Sequence, residues 1–170
     1  AALVAAAVRA GDLGTLALEL FAARHPDVEI HFFGGSAGRL PFSVTDHGVL
    51  PPDGLGRIYN RCVAGLVLSA TNVSLVPHEM LAAGCIPVVN DADHNRMVLD
   101  NEYVTYAAPT PHDLATALSR LVSRSPADIA AGAATASASV ADRSWAVAGA
   151  VVERFVRRAV TTAAGCGEAP

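Results

Sequence analysis

The segment AGLVLSA, residues 64–70, constrains the fold of this chain more than any other. It is apolar on both faces, which is typical of a strand buried in the middle of a parallel sheet. Two similar runs, VEIHFFG at 28–34 and CIPVVN at 85–90, lie on either side of it in the sequence. Helix-like stretches separate these runs, so the hydrophobic period alternates between strand and helix. Such a chain is expected to pack helices on both faces of a parallel sheet.

The remaining segments complete this pattern. Short strands are predicted at 3–8, 44–50 and 103–108, and helices at 12–24, 54–62 and 77–83, with further helices opening at Thr110, Ser125 and Ser144. We therefore predict an α/β fold, a doubly wound parallel sheet of the Rossmann-like kind with a C-terminal helical extension. The predicted domain is single and covers residues 1–162, and residues 163–170 are expected to form a disordered tail.

Composition excludes several classes of protein. Hydrophobic residues make up 52% of the chain and charged residues 16%, which is typical of a globular fold. The net charge is −4 and all 12 basic residues are arginine, so a nucleic-acid-binding surface is not expected. No run of bulky apolar residues is long enough for a membrane span. The chain begins directly in an apolar run, which we interpret as a strand whose upstream context is missing.

Ligands of an open parallel sheet bind beyond the carboxyl ends of its strands. Four segments are predicted to lie there: 9–12, 34–38, 69–77 and 90–95. The second contains the glycine turn Gly34-Gly35, which lets a backbone or a phosphate come close. No clear helix follows this turn and no Gly-Lys-Ser/Thr is present, so it is neither a dinucleotide fingerprint nor a P-loop.

The segment SATNVSLVPHEMLAAG, residues 69–84, is the most informative about chemistry. Small polar residues form a loop after a buried strand, and a helix follows. The amino end of such a helix offers main-chain amides and a positive dipole, both suited to a diphosphate. Glu79 in the first turn can accept hydrogen bonds from both hydroxyls of a ribose, or it can simply complement the helix dipole. His78 faces another side of the helix, so we expect a structural role for it.

A second polar group, Asp91, Asp93 and His94, contains residue types that bind metals. Short polar runs after a strand are more often solvated loops, so we predict no metal here. The three cysteines also lack a paired metal-binding spacing. The sequence does not identify a catalytic residue.

The order of these motifs resembles that of the C-terminal domain of GT-B-fold glycosyltransferases, in the large retaining class called family 4. The likeness is carried by GVL at 48–50 and by LGRIYNRCVAGLVLSATNVSLVPHEMLAAGCIPVVND at 55–91. It is greatest for a branch that includes bacterial rhamnosyltransferases of surface-polysaccharide synthesis. The resemblance extends over about residues 9–158, although only 64–91 matches in specific residues rather than in pattern.

This resemblance implies a site for a nucleoside diphosphate sugar, the glycosyl donor. In the family, a glutamate at the position of Glu79 binds the ribose, and a segment matching Val49 and Leu50 pairs with the nucleobase through its backbone. Loop amides, a glycine turn and an arginine hold the sugar and the diphosphate. The implied donor-binding residues are Arg9, Gly34, Gly35, Val49, Leu50, Thr71, Asn72, Val73, Ser74, Leu75 and Glu79.

Two positions depart from the family pattern. Members usually have two glutamates separated by seven residues, and the first would fall at the position of Thr71. That glutamate contacts the donor sugar in the family, so its replacement leaves the identity of the sugar open. The lysine that usually accompanies the phosphate-binding arginine has no counterpart here, which weakens the site around Arg9.

The resemblance further implies a cytoplasmic bacterial enzyme of polysaccharide biosynthesis that transfers a hexosyl group with retention and uses no metal or cofactor. The acceptor is held mainly by an N-terminal domain absent from this chain. The chain alone is therefore expected to bind the donor but not to transfer sugar, and any membrane contact is expected through the missing part. We expect the last helix to pack towards the partner domain through one apolar face, formed by Trp145, Ala148, Val152, Phe155 and Val156.

Three other interpretations stay open from the sequence. Thr71 and the missing lysine are compatible with a non-catalytic nucleotide-sugar-binding module. A sugar-nucleotide epimerase shares the architecture, but it should show catalytic acids and a histidine near the cleft. A flavodoxin-like module should have acidic residues after the first strand, where this chain has Arg9.

Overall fold

The computed structural model of the chain describes residues 3–7 and 11–165. Within these ranges, six parallel strands form one sheet in the order β3-β2-β1-β4-β5-β6. The strands are β1 (Leu3–Ala7), β2 (Glu29–Phe33), β3 (Thr45–Asp46), β4 (Ala64–Val67), β5 (Ile86–Asn90) and β6 (Thr105–Ala107). The chain starts at the centre of the sheet and winds outwards in both directions, which confirms the predicted doubly wound fold.

Seven helices accompany the sheet in the described part of the chain. They are α1 (Gly11–Arg24), α2 (Pro52–Tyr59), α3 (Val76–Ala82), α4 (Asp93–Leu99), α5 (Pro111–Val122), α6 (Pro126–Ala138) and α7 (Trp145–Gly165). Helices α5, α6 and α7 begin as the sequence predicts, after Thr110, Ser125 and Ser144, and α5 and α6 share one capping arrangement. The Thr110 hydroxyl accepts a hydrogen bond from the Asp113 N–H (3.1 Å), and the Ser125 hydroxyl accepts one from the Asp128 N–H (3.2 Å). A proline follows each cap, at a position where no N–H is needed.

The chain divides into two compact units, Ala1–Ser139 and Val140–Pro170. The first unit contains the sheet and helices α1 to α6, and the second contains α7. Because α7 runs to Gly165, the domain boundary predicted at residue 162 falls inside a helix. The first three residues of the predicted tail are therefore helical, and residues 166–170 lie outside the described part of the chain.

Helices α1 and α5 cover one face of the sheet. Leu18 and Phe21 of α1 and Leu114 and Leu118 of α5 are completely buried. Successive side chains of a strand point to opposite faces, so alternate strand residues reach this layer. The strand residues in this core are Val4, Ile30, Phe32, Ala64, Leu66, Val88 and Ala107. Burying one large apolar side chain is worth about 1.5–3 kcal/mol, so this layer is a main source of stability.

A glycine in the central strand β4 allows close contact with α3. A Cβ atom on Gly65 would lie 2.5 Å from the Met80 Sδ atom and 2.6 Å from its Cε atom. Met80 is fully buried, and its side chain would have to shift to admit a Cβ atom at Gly65. The α2 helix is joined to β2 by the rings of Phe33 and Tyr59, which meet edge to face with their centroids 5.4 Å apart. Helices α2 and α3 thus accompany the sheet on the side away from α1 and α5.

Most elements differ from their predicted bounds by no more than three residues, and two differ in kind or extent. The strand predicted at 44–50 keeps only two residues, because Gly48 adopts a left-handed φ of 60° and takes the chain away from the sheet. The segment after β5, predicted as a loop with one short turn of helix, forms the seven-residue helix α4. This helix buries Asn95 and Leu99, which lie on the same face, and it ends at Asp100 in the left-handed conformation.

The apolar residues of α7 are exposed to solvent. The exposed fraction is 80% for Trp145 and 75% for Phe155, and Val152 and Val156 are also exposed. The packing of this face against a partner domain stays a prediction. Within residues 3–7 and 11–165, none of the helices combines the length and the apolar character that crossing a membrane requires.

Leu18 and Leu16 provide a matched test of the core. Both lie on α1, but Leu18 is fully buried whereas Leu16 is 49% exposed. We expect Leu18→Ala to lower the free energy of unfolding by about 2–5 kcal/mol, because it leaves a cavity under the helix. Leu16→Ala makes the same change in helix propensity and should lower it by no more than about 1 kcal/mol. Urea denaturation followed by circular dichroism measures both values, and equal losses would contradict this core.

Candidate functional site

The sequential order of the strands reverses between β1 and β4, and a crevice forms beyond their carboxyl ends. Three of the predicted ligand-binding segments, 34–38, 69–77 and 90–95, leave the sheet at this edge. The first follows β2 on one side of the crevice, and the other two follow β4 and β5 on the opposite side. Arg9 of the fourth segment lies outside the described residues.

Two hydrogen bonds tie the loop after β4 to the end of β5. The Asn90 Oδ1 atom accepts from the Ser69 N–H (2.9 Å), and the Asn90 Nδ2 atom donates to the Ser69 carbonyl (2.8 Å). His94 Nε2 lies 3.2 Å from the same carbonyl, and the Ser69 hydroxyl donates to the Asn72 carbonyl. This link was not predicted from the sequence. An asparagine at the end of a buried strand was the available signal, since a half-buried amide needs partners.

On the other side of the crevice, Asp46 connects the loops that follow β2 and β3. Its carboxylate accepts hydrogen bonds from the Ala37 N–H and the Gly48 N–H, each at 2.9 Å. These two bonds lower the pKa of Asp46, because they stabilise the charged carboxylate. The Gly34 N–H donates to the Gly48 carbonyl (2.8 Å), and Gly34 has a φ of 93°, which favours glycine. The predicted glycine turn therefore contacts the loop that contains the predicted nucleobase segment.

The predicted nucleobase segment begins immediately after Gly48. Val49 is 82% exposed, and Leu50 is half-buried. Gly35 is also half-buried, in the loop that contacts this segment through Gly34. The structure thus brings the glycine turn and the nucleobase segment together, with Val49 open to solvent.

The loop predicted to hold the donor sugar is largely exposed. The Thr71 hydroxyl donates to the Asn72 Oδ1 atom (3.2 Å). Within the described ranges, no hydrogen bond joins the main-chain amides of Val73, Ser74 and Leu75 to the rest of the chain. These amides are therefore available to an anionic ligand. The α3 helix that follows has only seven residues and carries Pro77 in its first turn, so it offers fewer amides than a longer helix would.

Glu79 lies in a cleft between α2 and α3. The cleft has a volume of about 410 Å³ and is lined by Pro52, Leu55, Gly56, Tyr59, Asn60, Glu79, Ala82 and Ala83. Glu79 is exposed, and its carboxylate forms no hydrogen bond or ion pair with the described residues. Pro52, which follows the predicted nucleobase segment by two residues, lines this cleft, whereas Val49 and Leu50 do not.

Tyr59 also lines this cleft, although the sequence did not predict it as a site residue. The residue is 1% exposed, and its hydroxyl has no hydrogen-bond partner among the described residues. Burial, with a smaller contribution from the Glu79 carboxylate, raises the pKa of Tyr59 far above its ordinary value. Burial likewise raises the pKa of the Cys62 thiol to about 12, so this cysteine is not a nucleophile at neutral pH.

The polar group after β5 is held by an ion pair. The Arg96 guanidinium contacts both Asp91 carboxylate oxygens, at 2.6 and 2.8 Å, and it lies 4.5 Å from the centroid of the Tyr106 ring. The Arg96 hydrogen bond lowers the pKa of Asp91. In the described part of the chain, no three His, Cys, Asp or Glu side chains converge as a metal site requires. The absence of a metal from the working site stays a prediction.

A larger cavity, of about 560 Å³, lies at the other end of the sheet. It is lined by the end of α1, the start of β2 and residues 41–45. The amino ends of parallel strands do not bind ligands in sheets of this class. The smaller cleft beside Glu79 is therefore the better candidate for a ligand site.

A family model described as "WsaF, C-terminal domain" matches residues 8–119 of the chain. The O-antigen biosynthesis protein RfbC of Myxococcus xanthus is 38% identical over 82 residues, which are 47% of this chain and 6% of that protein. Residues 8–119 include every strand of the sheet except β1, and they include all the candidate donor-binding residues.

Two solved glycosyltransferases have a similar fold. The glycosyltransferase of kitacinnamycin matches with a TM-score of 0.57 and 21% identity, covering 89% of this chain and 42% of that one. The spinosyn forosaminyltransferase SpnP matches with a TM-score of 0.56 and 18% identity, covering 82% and 39%. These likenesses confirm the predicted fold of a GT-B C-terminal domain. The chain spans less than half the length of each of these relatives.

The link between Asn90 and Ser69 predicts a measurable loss on an isosteric change. Asn90→Asp keeps an acceptor for the Ser69 N–H but places a carboxylate against the Ser69 carbonyl. We expect the free energy of unfolding at neutral pH to fall by about 1–3 kcal/mol, because a hydrogen bond is replaced by repulsion between two acceptors. Asn72→Asp is the control, since the carboxylate introduced at this exposed position can still accept from the Thr71 hydroxyl. Urea denaturation compares the two variants, and equal stability would contradict this role of Asn90.

Proposed function

Because the chain belongs to the WsaF C-terminal domain family, we propose that it is the donor-binding half of a glycosyltransferase of bacterial surface-polysaccharide synthesis. The proposed ligand is a nucleoside diphosphate sugar. The proposal is carried by one observation: the Glu79 carboxylate has no partner among the described residues, in a cleft whose lining includes Pro52, two residues after the Val49-Leu50 segment. A ligand that joins a nucleobase to a ribose and a diphosphate matches this order of groups.

The ribose is assigned to Glu79. An ionised carboxylate has two oxygens and accepts hydrogen bonds from two neighbouring hydroxyls, which is the arrangement that a ribose presents. Glu79 is rigidly placed by α3, because the adjacent residues Met80 and Leu81 are completely buried. The alternative role, as a simple partner of the helix dipole, is supported less well because α3 is so short.

The nucleobase is assigned to the backbone of Val49 and Leu50. Asp46 and Gly34 hold the Gly48 main chain on both sides, so the following residues have a defined position before any ligand arrives. Main-chain donors and acceptors recognise the edge of a base without a large side chain. The exposure of Val49 supports this assignment.

The diphosphate and the sugar are assigned to the loop of Thr71, Asn72, Val73, Ser74 and Leu75. Main-chain amides there can bind phosphate oxygens or sugar hydroxyls whatever the side chains are. The turn at Gly34 and Gly35 and the Arg9 side chain are the other proposed contacts of the diphosphate. We propose no metal and no cofactor for this site.

Transfer breaks the bond between the anomeric carbon and a diphosphate oxygen, and the electron pair of that bond remains on the diphosphate. Donors that stabilise the negative charge on the leaving group lower the barrier to this step. The proposed contacts at Arg9, Gly34 and the loop amides would supply this stabilisation. We propose a hexosyl group and retention at the anomeric carbon, both on the resemblance alone.

The acceptor is assigned to a second domain. The solved relatives are more than twice as long as the region they share with this chain, which supports a two-domain enzyme. The exposed apolar face of α7 supports the same proposal, since a large exposed apolar face normally marks a surface that a partner covers. The chain alone is expected to bind the donor without transferring sugar, and we place the enzyme in the cytoplasm.

Thr71 favours a second candidate function, a module that binds nucleotide sugars without catalysis. The family glutamate that contacts the donor sugar is missing at this position. Both candidates bind the donor, and they differ in turnover by the full-length protein. Release of nucleoside diphosphate from the sugar nucleotide in the presence of acceptor glycan supports the transferase, and binding without release supports the module.

Glu79→Gln tests the donor site directly. We expect one nucleoside diphosphate from a panel of ADP, GDP and UDP, each of which carries both ribose hydroxyls, to raise the melting temperature of the wild type. A ligand present at about a hundred times its dissociation constant adds about 2.7 kcal/mol of stability. The variant should lose most of this gain, because the amide that replaces the carboxylate accepts through only one oxygen.

Glu102→Gln is the matched control, because Glu102 is equally exposed and lies away from the cleft. Its thermal shift should equal that of the wild type. A panel in which no nucleotide stabilises the wild type, or in which both variants respond equally, would overturn the assignment of the ribose.

A further inference from the structure

Two histidines, one on β2 and one directly after β3, form a close pair that has no assigned role in the proposed donor site. His31 lies on β2 and is 5% exposed, and His47 directly follows β3 and is half-buried. The His31 Nδ1 atom lies 2.7 Å from the His47 Nε2 atom. The two rings are nearly parallel, with an interplanar angle of 12° and centroids 5.0 Å apart. A contact this short between ring nitrogens depends on their protonation.

The 2.7 Å contact accommodates one proton between the two nitrogens. One nitrogen must carry the hydrogen and the other must present a lone pair. When His47 is protonated it still donates to a neutral His31, so the pair tolerates a single positive charge. When the His31 Nδ1 atom is also protonated, two N–H groups face each other and the contact must break.

The charged groups around the pair are Glu29, Asp46 and Arg61. The Glu29 carboxylate lies 3.4 Å from His31 Nε2, without the alignment of a hydrogen bond, and it is mostly exposed. Asp46 precedes His47 and is engaged by two main-chain N–H groups. Burial lowers the pKa of His31, Glu29 opposes this effect, and the positive charges of His47 and Arg61 add to it. Neutral His31 is therefore the resident form at pH 7.

The pair is coupled to the nucleobase segment by the main chain. His47 immediately precedes Gly48, Val49 and Leu50, and its own N–H donates to the Phe32 carbonyl (2.9 Å). Only two residue pairs join β3 to β2, so the contact between the imidazoles is a substantial part of what holds this edge strand to the sheet. A movement of His47 away from His31 would displace the start of the segment proposed to bind the base.

We propose that His31 and His47 act as positioning residues that hold the nucleobase segment in place while they share one proton, so that donor binding weakens in acid. This inference rests on the proposed function. Below the pKa of His31 in the folded chain, which burial lowers from the ordinary value of 6.5, binding should compete with the second protonation of the pair. The dissociation constant should then rise by up to about tenfold for each pH unit, the slope for release of one proton on binding.

The sign of the effect follows from linkage. The pKa of His31 is lower in the folded chain than in the unfolded chain, so the unfolded chain binds more protons below pH 6.5. The stability that neutral His31 contributes is fully present above that pH and declines as the pH falls towards the folded pKa. The same protonation opposes the ordered form of the nucleobase segment.

His31→Gln tests the proposal, because the glutamine carbonyl can accept from His47 in either protonation state. At pH 7.5 the dissociation constant of the variant for the nucleotide should lie within about twofold of the wild-type value. At pH 5.5 it should rise only by the amount that protonation of the nucleotide itself causes. The secondary phosphate pKa of the nucleotide affects both proteins equally, so it cancels in the comparison. His47→Gln is the second variant if the buried change at His31 impairs folding. Titration calorimetry with the nucleotide that stabilises the wild type measures each constant.

A ligand-free measurement separates this proposal from the proposed function. In ¹⁵N–¹H spectra recorded from pH 7.5 to 5.0, the amides of Gly48 and Val49 should titrate together with the His31 ring in the wild type. They should not titrate in this way in His31→Gln. Nucleotide binding that is absent at every pH, with these titrations intact, overturns the donor site and leaves the histidine link standing. Amides that do not respond, or equal pH dependence in wild type and variant, overturn the histidine link.

Discussion

Burial of both faces of β4 is the constraint on which the rest of the structure depends. A parallel strand can be covered on both sides only by helices that cross from the end of one strand to the start of the next. Helices α1 and α5 provide one layer, and Gly65 lets α3 approach the other face. Because every crossover starts at a carboxyl end, the connecting loops gather at one edge of the sheet. The location of the candidate site is therefore a consequence of how the core is closed.

The two sides of the crevice are fixed in different ways. Asn90 holds the loop after β4 through a pair of side-chain hydrogen bonds, whereas Asp46 and His47 hold the loop after β3. Neither arrangement uses Glu79 or the main-chain amides at 73–75, which are the groups proposed to contact the donor. Most of the side chains that shape the loops are thus distinct from Glu79 and from these amides, although Gly34 both holds the Gly48 carbonyl and is a proposed contact of the diphosphate.

The sheet could be predicted because each buried strand is a continuous apolar run bounded by glycine, proline or polar residues. The positions of Glu79 and Thr71 also followed from local order, since both lie within one strand–loop–helix unit. Asn90 and Ser69 are 21 positions apart in the sequence, and His31 and His47 are 16 apart. Contacts over such separations cannot be predicted from hydrophobic periodicity. Helix α4 was missed for a related reason: a buried asparagine is indistinguishable from a loop asparagine in the sequence.

The two hydrogen bonds that the Asp46 carboxylate accepts affect how the loop after β3 responds to acid. A carboxylate whose pKa is lowered by two N–H donors keeps its charge below its ordinary value of 3.8, and the stability it contributes declines as the pH falls from that value towards the lower folded value. The ordinary pKa of a histidine, 6.5, lies above that of the carboxylate, so the histidine contact is expected to fail first as the pH falls. Between these two limits the loop remains tethered at Ala37 and Gly48 while His47 is released. Acidification would therefore loosen this edge of the crevice in two separate stages.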